Sequence, residues 1–226
     1  MMVEQTVAIV DDCAGFRESM RALLESIGLA VRGYPSAFHF LADYDPKAGC
    51  LIADIRLPEM SGLELQEEIV RRGMNLPVIF ITAQADVPLA VRAMKAGAVD
   101  FIEKPFDEDA MIAGIKRALE IGRQIHKRIG ETKNAMDALA LLTQRERHVF
   151  DHLVKGHSNK AIACQLGISP RTVEFHRAHI MGKMNARSLS DLVHITMAAG
   201  HSMLDNASMM TESRRHIAIA RRLQGC

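Results

Sequence analysis

Five polar side chains stand directly after short apolar segments in the first half of the chain. In chain order they are Asp11, Asp12, Asp54, Thr82 and Lys104. Crowded carboxylates raise one another's pKa, so three of them together need a cation. Hard oxygen ligands suit Mg²⁺, and a carboxylate can act as a nucleophile toward phosphorus. With a hydroxyl and an ammonium for the oxygens of the transferred group, the set predicts phosphoryl transfer to Asp54.

The elements that must position these side chains alternate along the chain. Short strand-like segments, most of them strongly apolar as is typical of buried strands, are residues 6–10, 30–34, 50–53, 77–82 and 100–103. Helical spacing of apolar residues covers 15–26, 36–44, 62–72, 87–96 and 107–125. This alternation predicts an α/β unit with a five-stranded, doubly wound parallel sheet that is covered on both faces. Ligands bind such sheets at the carboxyl ends of the strands, where the five polar side chains would meet.

The second half has no strand-like segment and predicts an all-α unit of four helices. They span residues 143–155, 159–166, 169–184 and 188–199. Thr143 and Glu146 form a capping-box pattern, and Ser169 followed by Pro170 is a strong helix start. We therefore expect a first domain at 1–125, a linker at 126–142, a second domain at 143–200 and a tail of unknown role at 201–226.

The formal net charge of +1 conceals an uneven distribution. Residues 1–127 carry a net charge of −5 and residues 128–226 carry +6, which makes the second half a candidate for binding nucleic acid. The four cysteines lie far apart, which favours free thiols in a reducing compartment. No signal-peptide pattern and no run of about 20 apolar residues is present. We therefore expect a cytoplasmic protein without a membrane partner.

Residues 159–184 follow the pattern of a helix-turn-helix, in which the second helix enters the major groove of DNA. Val173, Ile180 and Met184 would face the first helix of this pair. Residues 143–199 carry a net charge of +4, which suits phosphate binding. The spacing alone is equally compatible with a helical bundle that has a solvated basic face.

The segments VDDC, IADIRLPEMSG, VIFITA and VDFIEKPF resemble the receiver domain of two-component response regulators, a flavodoxin-like fold, over residues 3–125. The resemblance implies that Asp54 accepts the phosphoryl group. It implies Mg²⁺ bound by Asp12, Asp54 and the backbone carbonyl of Arg56, with Asp11 acting through water. The remaining implied roles are phosphoryl contacts from Thr82, the N–H of Ala83 and Lys104, a switch formed by Thr82 and Phe101, and a cis peptide bond before Pro105.

Cys13 departs from this family's commoner pattern, which has a third acid at that position. The position is not that of the direct metal ligand, so we expect altered Mg²⁺ affinity and not loss of function. A redox-sensitive thiol and a spectator cysteine are both compatible with the sequence.

Residues 141–199 resemble the LuxR-type DNA-binding domain, so the whole chain resembles response regulators of the FixJ/NarL type, most closely the FixJ branch. The resemblance implies contacts with promoter DNA from Lys160, Arg171, Thr172, Glu174, Phe175, Arg177, Ala178 and Lys183. Glu174 would either accept a hydrogen bond from a cytosine amino group or repel wrong sites. The implied protein partners are a sensor histidine kinase and RNA polymerase.

The resulting hypothesis is a phosphorylation-activated transcription regulator, not an enzyme. Phosphorylation would reshape the face around Val91 and Lys95, and two copies would then pair and present two recognition helices. A simpler alternative is that the first domain masks the recognition helix until that domain is phosphorylated.

Two rival functions are a small phosphohydrolase with an Asp nucleophile and a DNA-binding regulator that does not respond to phosphorylation. Arg56 argues against the hydrolase, because an acid two residues after Asp54 would be needed there.

Overall fold

The computed structural model describes residues 6–200. Strands and helices alternate through the first part, and helices alone follow. Their bounds are β1 Thr6–Val10, α1 Ala14–Ser26, β2 Ala30–Tyr34, α2 Ala37–Ala42, β3 Ala48–Asp54, α3 Gly62–Arg71, β4 Val78–Thr82, α4 Val87–Lys95, β5 Asp100–Glu103, α5 Glu108–Ala140, α6 Gln144–Val154, α7 Asn159–Leu166 and α8 Pro170–Lys183. Residues 189–200 are also helical. The predicted fold class is confirmed; α2 is shorter than expected and β3 is longer.

The five strands form one parallel sheet in the order β2-β1-β3-β4-β5. Neighbouring strand residues enter opposite cores, so Ile52 packs in a core with α1 and α5 while Leu51 packs in a core with α2 and α3. Both faces of the sheet are therefore buried, which explains why its central strands are apolar throughout instead of alternating with polar residues. The strands end at one edge, and this edge carries the predicted chemistry.

The start of α3 lies unusually close to the end of β3. A Cβ at Gly62 would stand 2.4 Å from the backbone oxygen of Asp54, so only glycine allows this approach. Ser61 and Glu64 cap the helix reciprocally, since each side chain accepts a hydrogen bond from the other residue's backbone N–H. Asp54, the last residue of β3, is thereby held in a fixed backbone environment.

Helix α5 differs from the sequence prediction, because residues 126–140 continue it instead of forming a linker of weak periodicity. Ala135 is buried, and Ala138 and Leu139 pack against the core of the second unit together with Leu142, which lies just beyond the helix; the four positions have helical spacing. The charged residues at 127–133 hide this spacing in the sequence pattern. The chain divides into two compact units after His126, so residues 127–142 of the predicted linker belong to the second unit.

The second unit is a helical bundle whose core includes Val173, Ile180 and Met184 from α8. The capping box of Thr143 and Glu146 forms as predicted, and Ser169 caps α8 with Pro170 in its first turn. Gly167 ends α7 in the left-handed conformation, at φ 67°, which a side chain would disfavour. The tail at 201–226 lies outside the described residues. Among residues 6–200, no helix combines the length and apolar character needed to cross a membrane.

Candidate functional site

An ammonium group lies between two carboxylates at the carboxyl edge of the sheet. Lys104 Nζ donates to Asp11 Oδ2 at 2.7 Å and to Asp54 Oδ2 at 2.8 Å. Asp11 follows β1, Asp54 ends β3 and Lys104 follows β5, so three separate strands supply the cluster. The Asp11 side chain is fully buried, and only 20% of the Lys104 side chain is exposed. The parallel sheet therefore brings together three of the five side chains that the sequence singled out.

The second oxygen of each carboxylate is held by the backbone two residues later. Asp54 Oδ1 accepts from the N–H of Arg56 at 2.8 Å, and Asp11 Oδ1 accepts from the N–H of Cys13 at 2.8 Å. Both carboxylates thus have one oxygen on the backbone and one on Lys104. Their orientation is fixed before any ligand arrives, which is the arrangement that electrostatic catalysis requires.

The cluster carries two acids for one base. Burial raises the pKa of Asp11 above its ordinary value, although hydrogen bonds from Lys104 and from the N–H of Cys13 oppose the rise. Burial also lowers the pKa of Lys104, but its hydrogen bonds to Asp11 and Asp54 outweigh that effect and leave its pKa raised. One ammonium therefore leaves the negative charge of this edge undercompensated, and the edge favours a further cation.

The other residues implied in cation binding lie at the surface beside this cluster. Asp12 and Arg56 are exposed, and Cys13 is an exposed free thiol. Among residues 6–200, no three acidic, histidine or cysteine side chains are close enough to form a metal site from side chains alone. The donor chemistry nevertheless suits Mg²⁺, which takes one or two carboxylates and completes its shell with carbonyl oxygens and water.

Thr82 ends β4 beside this edge and is fully buried. Its hydroxyl exchanges hydrogen bonds of 3.3 Å with the backbone of Gln84, and its carbonyl accepts from the N–H of Lys104 at 2.7 Å. Ala83 is exposed, and the peptide bond between Lys104 and Pro105 is cis. The turn after β4 is thus bonded to the turn after β5.

Helix α4 presents an exposed apolar stripe. Val87, Val91 and Met94 are 76%, 44% and 49% exposed, and their spacing of four and three residues places them on one face. Lys95 is exposed at the end of the same helix, and Phe101 is half-buried on β5. An apolar stripe of this kind is typical of a surface that binds another protein.

Phe16 belongs to the site, although the sequence analysis did not single it out. Lys104 Nζ lies 3.8 Å from the centroid of the Phe16 ring, which makes a cation–π contact. The Phe16 ring in turn meets Phe106 edge-on, with centroids 6.2 Å apart. The only available signal was the position of Phe16 on the first turn of α1, four residues after Asp12.

Most of the residues predicted to bind DNA lie on the surface of the second unit. Those that are exposed are Lys160, Arg171, Glu174, Phe175 and Ala178, and those that are half-buried are Thr172 and Arg177. The Phe175 ring is 58% exposed and lies 4.2 Å from the His179 ring, centroid to centroid. The exposed members on α8 are spaced at three and four residues, so they share one face of the helix.

Lys183 differs from this group, because its ammonium is engaged inside the unit. It donates to Glu146 Oε2 at 2.7 Å and to the backbone oxygen of Leu141 at 3.1 Å. Glu146 is 3% exposed and also accepts from the N–H and the hydroxyl of Thr143. The hydrogen bond from Lys183 and that from the Thr143 backbone lower the pKa of Glu146 to about 2. Lys183 thus joins α8 to the start of α6, and its contact with DNA stays a prediction.

Two family models match the chain. Residues 7–116 match the response regulator receiver domain, and residues 140–196 match the bacterial regulatory proteins of the luxR family. The first match covers the edge with Asp54 and Lys104, and the second covers the helix-turn-helix.

Named relatives resemble the chain over most of its length. The transcriptional regulatory protein FixJ of Azorhizobium caulinodans is 48% identical, over 89% of this chain and 96% of that protein. FixJ of Rhizobium meliloti is 46% identical, over 88% of this chain and 98% of that protein. A solved structure of the response regulator StyR is 40% identical with a TM-score of 0.78, and the match covers 86% of this chain and 98% of that chain.

Proposed function

The chain belongs to the two-component response regulators of the FixJ type and is a phosphorylation-activated transcription regulator, and from this premise we propose that Asp54 is the phosphoacceptor. The observation that carries the proposal is the position of Lys104 between the carboxylates of Asp11 and Asp54. Asp54 is the member of the pair whose side chain is partly open to solvent, at 11% exposure. A phosphodonor therefore reaches Asp54 and not Asp11.

A sensor histidine kinase is the partner that a receiver domain implies. In the proposed reaction a carboxylate oxygen of Asp54 attacks the phosphorus of a phosphohistidine. The new O–P bond forms as the N–P bond breaks, and the imidazole leaves with the electron pair. Lys104, the hydroxyl of Thr82 and the N–H of Ala83 would contact the phosphoryl oxygens. The reaction needs no general base, because an ionised carboxylate attacks phosphorus without first losing a proton.

Mg²⁺ is the cation that suits this edge. Asp12, Asp54 and the carbonyl of Arg56 would bind it directly, and Asp11 would act through water. When bound, Mg²⁺ would neutralise the acids and bind an oxygen of the phosphoryl group. The support for this assignment is the undercompensated charge around Asp11, whose burial raises its pKa.

Phosphorylation would then change the surface of the first unit through Thr82 and Phe101. In the proposed switch the phosphoryl group draws the Thr82 hydroxyl away from Gln84, and the half-buried Phe101 ring follows. The face that responds is that of α4, with Val91 and Lys95. Its exposed apolar stripe supports pairing of two phosphorylated copies, which would bury that stripe.

The second unit binds DNA through α8, as its LuxR-type family implies. We assign base contacts to the exposed face of α8, where Glu174, Phe175 and Ala178 lie, and phosphate contacts to Lys160 and Arg171. Thr172 and Arg177 complete the proposed interface. A dimer bound to promoter DNA would also contact RNA polymerase.

The decisive experiment uses Asp54→Asn with phosphoramidate and Mg²⁺. The natural chain is expected to gain about 80 Da in intact mass, the mass of one phosphoryl group replacing a proton, and to bind promoter DNA more tightly; the variant is expected to do neither. Asp43→Asn is the matched control, because Asp43 is exposed and makes a surface ion pair with Arg32. A response of Asp54→Asn equal to that of the natural chain would reject Asp54 as the acceptor.

Sedimentation of the same samples separates dimerisation from simple unmasking. If α4 pairs two copies, the phosphorylated chain sediments as a dimer, and Val91→Glu remains a monomer that still accepts the phosphoryl group. If the first unit only masks α8, phosphorylation increases DNA binding without any change of mass in solution.

A further inference from the structure

The ammonium of Lys104 contacts three side chains among the described residues, and two of them take part in the proposed chemistry. Asp54 changes when it accepts the phosphoryl group, and Asp11 changes when a cation approaches. The third partner is the ring of Phe16, whose centroid lies 3.8 Å from Lys104 Nζ. The ring carries no ionisable group, so neither event alters it.

We propose that Phe16 is a positioning residue that keeps the Lys104 ammonium at the reacting edge while its carboxylate partners are in use. The inference rests on the proposed role of Asp54 and assigns a role to a residue outside the set that the sequence singled out. Phe16 acts through Lys104 and does not itself contact the phosphoryl group.

The surroundings of Phe16 support a fixed ring. Phe16 lies on α1, is half-buried and packs against the core that α1 and α5 share. Phe106, two residues after Lys104, meets the ring edge-on at 90°. A cation over an aromatic face is attracted by the negative charge of that face, and the attraction grows when water is excluded. The 20% exposure of the Lys104 side chain provides such partial exclusion.

Without the ring, the flexible four-carbon side chain of Lys104 would lose the one partner, among residues 6–200, that is independent of the reaction. When a cation occupies the edge beside Asp11 and the phosphodonor approaches Asp54, the ammonium would then spend more time in solvent before the O–P bond forms. Fewer molecules would present Lys104 to the phosphoryl oxygens, so the rate of phosphorylation would fall.

The experiment measures phosphorylation of the full chain by phosphoramidate at saturating Mg²⁺. Phe16→Leu is expected to slow the reaction about three- to tenfold, as the loss of a partly buried cation–π contact implies. Phe16→Tyr keeps an aromatic face and is expected to stay within about twofold of the natural chain. Phe38→Leu makes the same chemical change at an exposed ring on α2 and should leave the rate unchanged.

A second pair of measurements separates positioning from packing. Phe106→Leu removes the neighbouring ring but leaves Phe16 over Lys104, so its rate should fall less than that of Phe16→Leu. In the unphosphorylated chain, the ε-methylene protons of Lys104 should resonate upfield because of the Phe16 ring current, in Phe16→Tyr as well, and should lose this shift in Phe16→Leu.

The inference is overturned if Phe16→Leu reacts at the natural rate, if Phe16→Tyr is as slow as Phe16→Leu, or if the upfield shift is missing from the natural chain. Asp54→Asn, run in parallel, distinguishes failure of the inference from failure of the proposed function. If Asp54→Asn is still phosphorylated, the acceptor itself is wrong, whereas an inactive Asp54→Asn beside an unaffected Phe16→Leu rejects the role of Phe16 alone.

Discussion

In the described part of each compact unit, residues 6–126 and 127–200, a lysine binds a buried carboxylate, but the charges of the two clusters are balanced differently. Lys104 serves two acids, Asp11 and Asp54, and leaves a formal charge of −1. Lys183 serves Glu146 alone, and the pair is neutral. The first cluster also stands at the end of a parallel sheet, where ligands bind, whereas the second joins two helices of a bundle.

The pKa directions express the same difference. Burial raises the pKa of Asp11, whereas the hydrogen bond from Lys183 and that from the Thr143 backbone lower the pKa of Glu146 to about 2. A carboxylate with enough donors holds its charge and stabilises the fold. A buried carboxylate with too few hydrogen-bond donors is ionised only at a cost in free energy, and an added cation reduces that cost. Charge balance therefore separates a structural ion pair from a reactive one in this chain.

The largest expected effect is that of Lys104→Met on phosphorylation by phosphoramidate. Removal of one donor to the developing charge typically slows a reaction about 10²- to 10³-fold, and we expect this range. Lys183→Met, the matched change in the other cluster, should leave the rate unchanged. The rates are read from the growth of the phosphorylated mass. If the two variants slowed the reaction equally, the two clusters would not differ in the way described.

Glu146→Gln should lower the stability of the second unit and leave phosphorylation unchanged, in contrast to Lys104→Met. Loss of the charge leaves the half-buried Lys183 without its counter-ion, so the free energy of unfolding of the second unit should fall by about 1–3 kcal/mol. Phosphorylation of the first unit should not change. Hydrogen exchange in peptides from α6 to α8 measures the loss. Glu131→Gln, which breaks an exposed pair with Lys127, is the control and should cost less than about 0.5 kcal/mol.

The Glu146 contribution should also depend on pH. Its folded-state pKa of about 2 lies below its ordinary value of 4.5, so the unfolded chain takes up more protons between these values. The stabilisation is therefore complete above about pH 4.5 and is lost as the pH falls toward 2. The difference in stability between the natural chain and Glu146→Gln should shrink over that window. A difference that stayed constant down to pH 2 would contradict the assignment.

The sequence predicted the cluster around Lys104 because each of its residues is adjacent in sequence to the strand that positions it. Each acid or base lies at the end of a strand or directly after it, and parallel strands end at a common edge. The residues needed for the fold and those needed for the site are therefore adjacent in sequence. Asp54 directly follows the apolar segment of β3. Because Gly62 has no side chain, the start of α3 can lie close to Asp54.

The second cluster and the length of α5 were not predictable in this way. Lys183 and Glu146 lie 37 residues apart, and only the packing of α8 on α6 brings them together. A lysine on a recognition helix also matches the pattern of a phosphate contact, so the sequence favoured that interpretation. At the end of α5, the apolar positions from Ala135 to Leu139 are few and follow a highly charged segment. The role of Phe16 was not predicted, because a periodic pattern does not show which polar group a ring will contact.

The smallest expected effect tests whether Lys183 binds DNA or only stabilises the second unit. Lys160 is exposed at the start of α7, so Lys160→Met should weaken DNA binding about three- to tenfold and reduce the slope of log K against log salt concentration by about one unit. Lys183→Met should lower the stability of the second unit instead, and its slope should match that of the natural chain. Binding titrations at several salt concentrations measure both slopes, because released counterions report phosphate contacts and not fold stability. A lower slope for Lys183→Met would place Lys183 in the DNA interface and would mean that its bond to Glu146 gives way when DNA binds.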